Sequence, residues 1–364
     1  MYIDIYIRQG IMRLIMKKLF LILPMVFAFC ITSCNGGGDS NGGGGVTPNP
    51  TPAPLPAPGK VTYALLAITG ANKIYSAPLD TNGNLLWSQG VYTAKEISWD
   101  NPYYIVVNPE NTYAYISDAP LSNSSTTNGA VYRCSLSQTG TLSNCSKIIS
   151  NIGRPVSMAL QGNYLYVSNA VANGVIQSCN LTTNTCTAQS TTAVTGLQPT
   201  GVAVSSNTAY VTYGVPNDAT TTSSKYALYS FNLNPTTGAM SGGKKASTTS
   251  SLSNPTDLTV NNNFVYISNY AYNSVSQYNA TLTDTGSPVS TIFKGNFEIS
   301  MNSTNTYAYI INGAINGDIK GYISKCTVQS TGLLNNSCTP LSDSTILQQP
   351  YGIAITGELQ GPQQ

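Results

Sequence analysis

From residue 61 onward the apolar positions come in short runs, broken every few residues by Ser, Thr, Asn and Gly. Helical periodicity near about 3.6 residues is hard to find, and the pattern predicts strands and turns. A strand opening with an X-Pro pair recurs: NPYYIVV (101–107), RPVSMAL (154–160), QPTGVAV (198–204), NPTDLTV (254–260) and QPYGIAI (349–355). GNFEISM (295–301) fits the same frame, with Asn296 where proline would stand. The first five in chain order are each followed by a strand rich in tyrosine or phenylalanine: TYAYIS (112–117), YLYVS (164–168), AYVT (209–212), FVYIS (264–268) and TYAYII (306–311). After each comes a stretch that reads as a hairpin, such as VYRCSLSQTGTLSNCSK (131–147) or YISKCTVQSTGLLNNSC (322–338).

Four short strands per unit, repeating every 41–56 residues, predict an all-β fold built from β-propeller blades. The first unit is incomplete. VTYALLAIT (61–69) reads as a second strand and KIYSAPLDTNGNLLWS (73–88) as its hairpin, with no opening strand before them. The missing piece is QQPYGIAI, residues 348–355, near the other end of the chain. The expectation is a six-bladed propeller over 61–358, its first blade completed by the C-terminal strand, with 359–364 as a tail. Closure of this kind removes the unpaired edges of an open array.

The strand opening Pro-x-Gly-(Val/Ile)-Ala-(Val/Ile), then a Tyr-rich strand ending in Ser/Thr and Asn/Asp, then Asn and a hairpin, resembles the NHL and YVTN propeller families. It is clearest in PTGVAV with AYVT and in VSNAVANGVIQS. The resemblance covers nearly all of 61–357, although only Gly201 and Gly352 occupy the glycine position. It implies the fold and no particular chemistry.

Residues 16–34, MKKLFLILPMVFAFCITSC, carry two lysines, a short apolar run and small residues before a cysteine, the features of an export signal. Ile31-Thr32-Ser33-Cys34 resembles the lipobox of bacterial lipoproteins. That resemblance implies cleavage after residue 33, diacylglycerol and palmitate on Cys34 and, with Asn35 following, the outer membrane. Residues 1–15 fit no signal peptide, and Met16 is the expected start. Residues 34–60, rich in Gly and then Pro, read as a disordered tether. Beyond Cys34 there are twelve basic and thirteen acidic residues, a net charge of −1, which makes no case for nucleic-acid binding. The expected partners are the membrane, through the lipid, and an envelope protein or glycan, for a monomeric propeller.

Six cysteines remain after Cys30 and Cys34, and they come in close pairs: Cys134/Cys145, Cys179/Cys186 and Cys326/Cys338. Each pair flanks one hairpin at the position where other blades carry Ala77, Phe231 and Tyr278. Counting inward predicts a two-residue turn at Thr139-Gly140, a four-residue loop around Thr182-Thr183, and a three-residue loop or bulge at Gly332. Directly opposed residues on antiparallel strands suit disulfides, and export keeps such bonds oxidised. Metal ligation is the rival reading, but the spacings are not C-x-x-C.

Histidine is absent from the chain, which removes the commonest general base and the His-dependent triads. Residues around the X-Pro pairs should ring one mouth of the central channel: Asn101, Arg154, Gln198, Asn254, Asn296 and Gln349. Slightly further along come Tyr104, Ser157, Gly201, Asp257, Glu298 and Gly352, with the two carboxylates in adjacent blades. Asp257 and Glu298 could bind a divalent cation such as calcium, or share a proton. The plainer expectation is a solvated pair at strand starts, balanced by Lys294 or Arg154. Gluconolactonase-type six-bladed propellers hold a metal with Glu, Asn and Asp. Asp257, Glu298, Asn254 and Asn101 could imitate that set without reproducing its spacing.

The second-strand tyrosines (Tyr115, Tyr166, Tyr210, Tyr266, Tyr309) are expected between blades. Tyr213, Tyr270 and Tyr272, expected in loops, could form a recognition surface with the insertions at 119–128 and 214–225. The leading expectation is a membrane-anchored, non-catalytic binding or scaffold module of the cell envelope. The alternative is a metal-dependent lactonase or hydrolase centred on Asp257 and Glu298.

Overall fold

The computed structural model describes residues 59–360 except 120–127, 172–173, 190–196, 215–225, 262, 287, 291, 314–319 and 344. The segment read as an export signal, Cys34, most of the expected tether and the greater part of both loop insertions therefore lie outside the described residues.

Six antiparallel sheets follow one another along the chain. Blade I pairs Pro350–Ile355 with Tyr63–Ile68, then Lys73–Pro78 and Val91–Thr93. The innermost strands of blades II to VI are Pro102–Val107, Pro155–Gln161, Gln198–Ser205, Pro255–Asn261 and Asn296–Met301. Each innermost strand neighbours the next, and Pro350–Ile355 closes the circle between blades VI and II. The expected split blade is present, in the register Ala64↔Ile355 to Ala67↔Gly352. Pairing also runs past the expected boundaries on both sides, since Lys60↔Gln360 and Val61↔Leu359 add a two-stranded ribbon.

Two hairpins depart from the expected form. In blade I, Leu79 and Leu85 make only an isolated bridge, and the outermost strand lies beyond residue 88, at Val91–Thr93. In blade V the fourth strand is reduced to the bridges Val275↔Val289 and Tyr278↔Asp284.

The Asn/Asp that ends many second strands has a local task. Asp118, Asn169, Asn269 and Asn312 accept backbone N–H groups of the incoming chain, from Asn101, Arg154, Ser253 and Lys294, at 2.6–2.9 Å. These bonds satisfy donors that have not yet joined a ladder. Part of the family-like motif is thus a device for seating the innermost strand.

The core is six clusters of buried apolar residues, one between each pair of consecutive blades. The five expected tyrosines fall in five different interfaces, and Tyr166, Tyr266 and Tyr309 are fully buried. Several hydroxyls reach the next blade: Tyr309 donates to the Gly83 carbonyl at 2.8 Å, and Tyr266 donates to that of Gly332. Gly332 sits at φ +91°, and an added Cβ would lie 2.5 Å from the Phe264 ring. Only glycine fits both the turn and the close inter-blade approach.

All three disulfides join the expected partners: Cys134–Cys145, Cys179–Cys186 and Cys326–Cys338, with Cα–Cα distances of 4.0, 3.9 and 4.2 Å. The rival reading of these cysteines as metal ligands is thereby set aside, because each thiol is consumed by its neighbour. The two halves of a bridge differ in burial. Cys134, Cys179 and Cys326 lie in the inter-blade core, whereas Cys145, Cys186 and Cys338 are half-buried on the outermost strands. Each bond closes a small loop and contributes roughly 2–3 kcal/mol on the loop-entropy estimate.

The turns beneath these bridges follow the count unevenly. In blade III, Cys186 faces Cys179 directly in the ladder, and the turn between Asn180 and Thr185 has the four residues expected. The turn before Cys145 does not have two. Ser137 and Thr141 enclose a three-residue loop, and a bulge with Asn144 at φ +51° restores the register that brings Cys145 opposite Cys134. The Cys326–Cys338 hairpin likewise combines a three-residue loop, Ser330 to Gly332, with an irregularity before the disulfide.

Candidate functional site at the channel mouth

Each innermost strand carries a register shift just after its opening residue, for example between Pro155 and Ser157 and between Pro255 and Asp257. The inner edges of these strands face the channel and have no ladder partner, so their N–H groups need other acceptors. Side chains two places after the proline position supply them. Ser157 Oγ accepts the Val202 N–H of the next blade at 3.1 Å. Asp257 Oδ2 accepts that of Ile299 at 3.2 Å, and Glu298 Oε2 accepts that of Ile353 at 2.9 Å. Tyr104 spans the ring, its hydroxyl 3.5 Å from Asp257 Oδ2, while Ser157 donates to Asp257 Oδ1 at 2.9 Å.

The two glycines at this level are sites of close approach. An added Cβ at Gly352 would lie 2.5 Å from the Tyr103 carbonyl and 3.1 Å from Glu298 Oε2. One at Gly201 would lie 2.6 Å from Leu258. On one side of this layer is a cavity of about 260 Å³ lined by innermost strands of all six blades.

Asp257 and Glu298 are 2% and 3% exposed, which corrects the expectation of a solvated pair. Lys294 is exposed, Arg154 lies over the Tyr103 ring, and the ion pair found among the described residues is Lys60–Glu358. Burial pushes the Asp257 carboxyl up to about 7, against the pull of its bonds to Ile299, Ser157, Leu258 and Tyr104. Burial, then the charge of Asp257, holds Glu298 well above the ordinary range. Burial and both carboxylates raise Tyr104 likewise. The physical source is the cost of an anion out of water.

As a divalent-cation site the pair does not fit. Both Asp257 oxygens and Oε2 of Glu298 already accept hydroxyl or backbone donors, and among the described residues no three His, Cys, Asp or Glu side chains gather to hold a metal. The asparagines do not complete a set. Asn101 is half-buried where blade II begins, giving its N–H to Asp118. Asn254 sits at φ +49° with its Oδ1 against Gly214. Asn296 is fully buried and donates to the Ser274 carbonyl at 2.8 Å, away from the expected ring. Gln198 and Gln349 remain half-buried where their strands begin.

One place before the polar layer lies a feature the sequence reading missed. Tyr103, Phe297 and Tyr351 each follow the proline position directly, and their rings meet across blades II, VI and I. Ring centroids are 5.0 Å apart for Tyr103–Tyr351 and 4.4 Å for Phe297–Tyr351. Tyr270 extends the arc from blade V, 5.4 Å from Phe297. Arg154, from blade III, places its guanidinium 5.8 Å from the Tyr103 centroid. All four rings are partly exposed. Burial, with Tyr103 and Tyr270 close by, pushes the Tyr351 hydroxyl up to about 12, while Arg154 pulls the other way. The sequence signal was present: an aromatic directly after the proline position in three of six opening strands.

The loop tyrosines divide. Tyr213 is strand-borne and buried, edge-on to Tyr229 at 5.7 Å, which corrects its placement in a loop. Tyr270 belongs to the arc, and Tyr272 is 44% exposed.

No protein-family model matches the chain, and no curated protein is similar to it by sequence. Many solved structures share its fold. A chain of the nidogen/laminin complex aligns with TM-score 0.59 at 15% identity, over 83% of this chain and all of that one. A Bacteroides fragilis protein described as a candidate 6-phosphogluconolactonase aligns with TM-score 0.56 at 13% identity, over 83% and 99%. TolB from Acinetobacter baumannii aligns with TM-score 0.56 at 12% identity, over 84% and 69%. At such identities the likeness shows the propeller fold alone.

Proposed function

We propose that this chain is an exported, lipid-anchored propeller that acts as a non-catalytic binding module of the cell envelope, engaging its ligand at the channel mouth. One observation carries the reading. The carboxylates that an acid/base or metal mechanism would use are buried and engaged by inner-edge N–H groups, while the aromatic arc beside them keeps part of its surface exposed. The export signal, Cys34 and the Gly/Pro-rich tether support an envelope location.

Two measurements test the proposal. Full-length protein should fractionate with membranes and incorporate labelled palmitate, and Cys34→Ser should abolish the labelling; label retained in that variant counts against the anchor. Detergent-solubilised protein should hydrolyse no sugar lactone above the buffer rate with calcium, zinc or manganese. Turnover that disappears in Asp257→Asn would favour the lactonase alternative.

A further inference from the structure

The mouth offers a specific set of chemical groups. Tyr103, Tyr351 and Tyr270 bring three phenols to one mouth, each within electrostatic reach of the others, and no hydrogen bond joins their hydroxyls to another described residue. Their rings, with Phe297, form a continuous apolar arc across four blades. Gly313 makes room for it, since an added Cβ there would lie 2.3 Å from the Phe297 ring. Arg154 contributes a positive charge that bears on both Tyr103 and Tyr351. It is 7% exposed, so its field acts through a medium less screening than bulk water.

We propose that this arc is a binding site for an acidic saccharide, a sugar ring carrying a carboxylate. The proposal rests on the binding-module reading above and names its ligand class. Sugar C–H faces match the partly exposed rings, and sugar hydroxyls match phenols that can both donate and accept. The carboxylate complements the positive charge that Arg154 brings to the arc. An extended peptide fits less well. Strand addition needs an open backbone edge, and Ser157, Asp257 and Glu298 already cap inner-edge N–H groups of three blades at this level.

The probe is trigalacturonate, titrated into detergent-solubilised full-length protein by calorimetry, with a neutral galactose trisaccharide and acetate as controls. Saturable binding of trigalacturonate at least tenfold tighter than of either control is expected. Arg154→Gln should weaken it tenfold or more while leaving the neutral sugar unchanged. Tyr351→Ala should weaken both sugars. Phe297→Leu, which keeps the apolar volume but loses the aromatic face, guards against a folding artefact and should also weaken both.

No saturable binding, or equal binding of acetate, overturns the saccharide proposal. So does an Arg154→Gln protein that binds as tightly as its parent. A pull-down from solubilised membranes separates this failure from failure of the broader reading. If no saccharide binds but the parent retains an envelope component that Tyr351→Ala loses, only the ligand class is wrong. If Tyr351→Ala retains every component the parent does, the mouth is not the binding surface and both readings fall.

Discussion

Protein ending at residue 347 is expected to lose cooperative thermal unfolding and to be cut rapidly within residues 61–69 by a non-specific protease. The missing segment supplies the innermost strand of blade I and contributes to two inter-blade clusters at once, Ile353 to that between VI and I and Ala354 to that between I and II. Its removal uncovers one edge of Tyr63–Ile68, a strand whose six residues are all buried. It also breaks the bonds Thr69 N–H to the Gln349 carbonyl at 3.2 Å and Thr356 N–H to that of Tyr63 at 2.9 Å. Ile353 and Leu359 are 0% and 2% exposed, and losing the burial of two such side chains costs roughly 3–6 kcal/mol. That is comparable to the whole stability of many domains, about 5–15 kcal/mol. A synthetic peptide covering 348–360 should restore much of the melting temperature when added in excess. A truncated chain that melts as hot and as sharply as the parent would mean that the circle does not depend on this strand.

The second large effect concerns pH. Asp257 titrates near about 7 in the folded protein against 3.8 as an ordinary carboxyl, so the folded state holds the proton more tightly than the unfolded state does. Stability from this group is complete below about pH 4 and is lost as pH rises through about 7, because in that interval only the folded chain carries the proton. Glu298 and Asp118 are raised in the same direction. Asp80 and Asp343 are lowered instead, and their contributions fade only below the ordinary carboxyl range. The protein should therefore melt higher at pH 5 than at pH 8. Asp257 contributes up to ~3 kcal/mol to that difference, at about 1.4 kcal/mol for each pH unit between pH 5 and its folded titration point near about 7. Asp257→Asn keeps an acceptor for the Ile299 N–H and removes the buried charge. It should raise the melting temperature at pH 8 and flatten the slope. A variant as pH-dependent as its parent would show that the titration belongs elsewhere.

This assignment differs from the role expected from the linear pattern. Asp257 and Glu298 stood out as neighbouring acids and candidate ligands, and the fold uses them to terminate strand edges. The glycine position of the family-like motif has a similar explanation. At residues 201 and 352 it lets innermost strands approach side chains of their neighbours, without forming a site.

Much was legible before folding was considered, because the information is local and repeated. An X-Pro opening, an aromatic second strand and a hairpin recur at a nearly constant spacing, which sets the number of blades and the partner of the orphan strand. The cysteine pairs were readable for the same reason, since opposed positions in one hairpin, such as Cys179 and Cys186, are near in sequence. The turn before Cys145 was not, because a bulge at Asn144 shifts the count by one. What only the tertiary structure decided lies where six strands converge. Whether Asp257 meets water or the Ile299 N–H, and whether Tyr103 meets Tyr351, depends on residues brought together from distant parts of the chain. Linear patterns determine which face of a strand is apolar, whereas burial of a charge and assembly of an aromatic arc depend on how the ring closes.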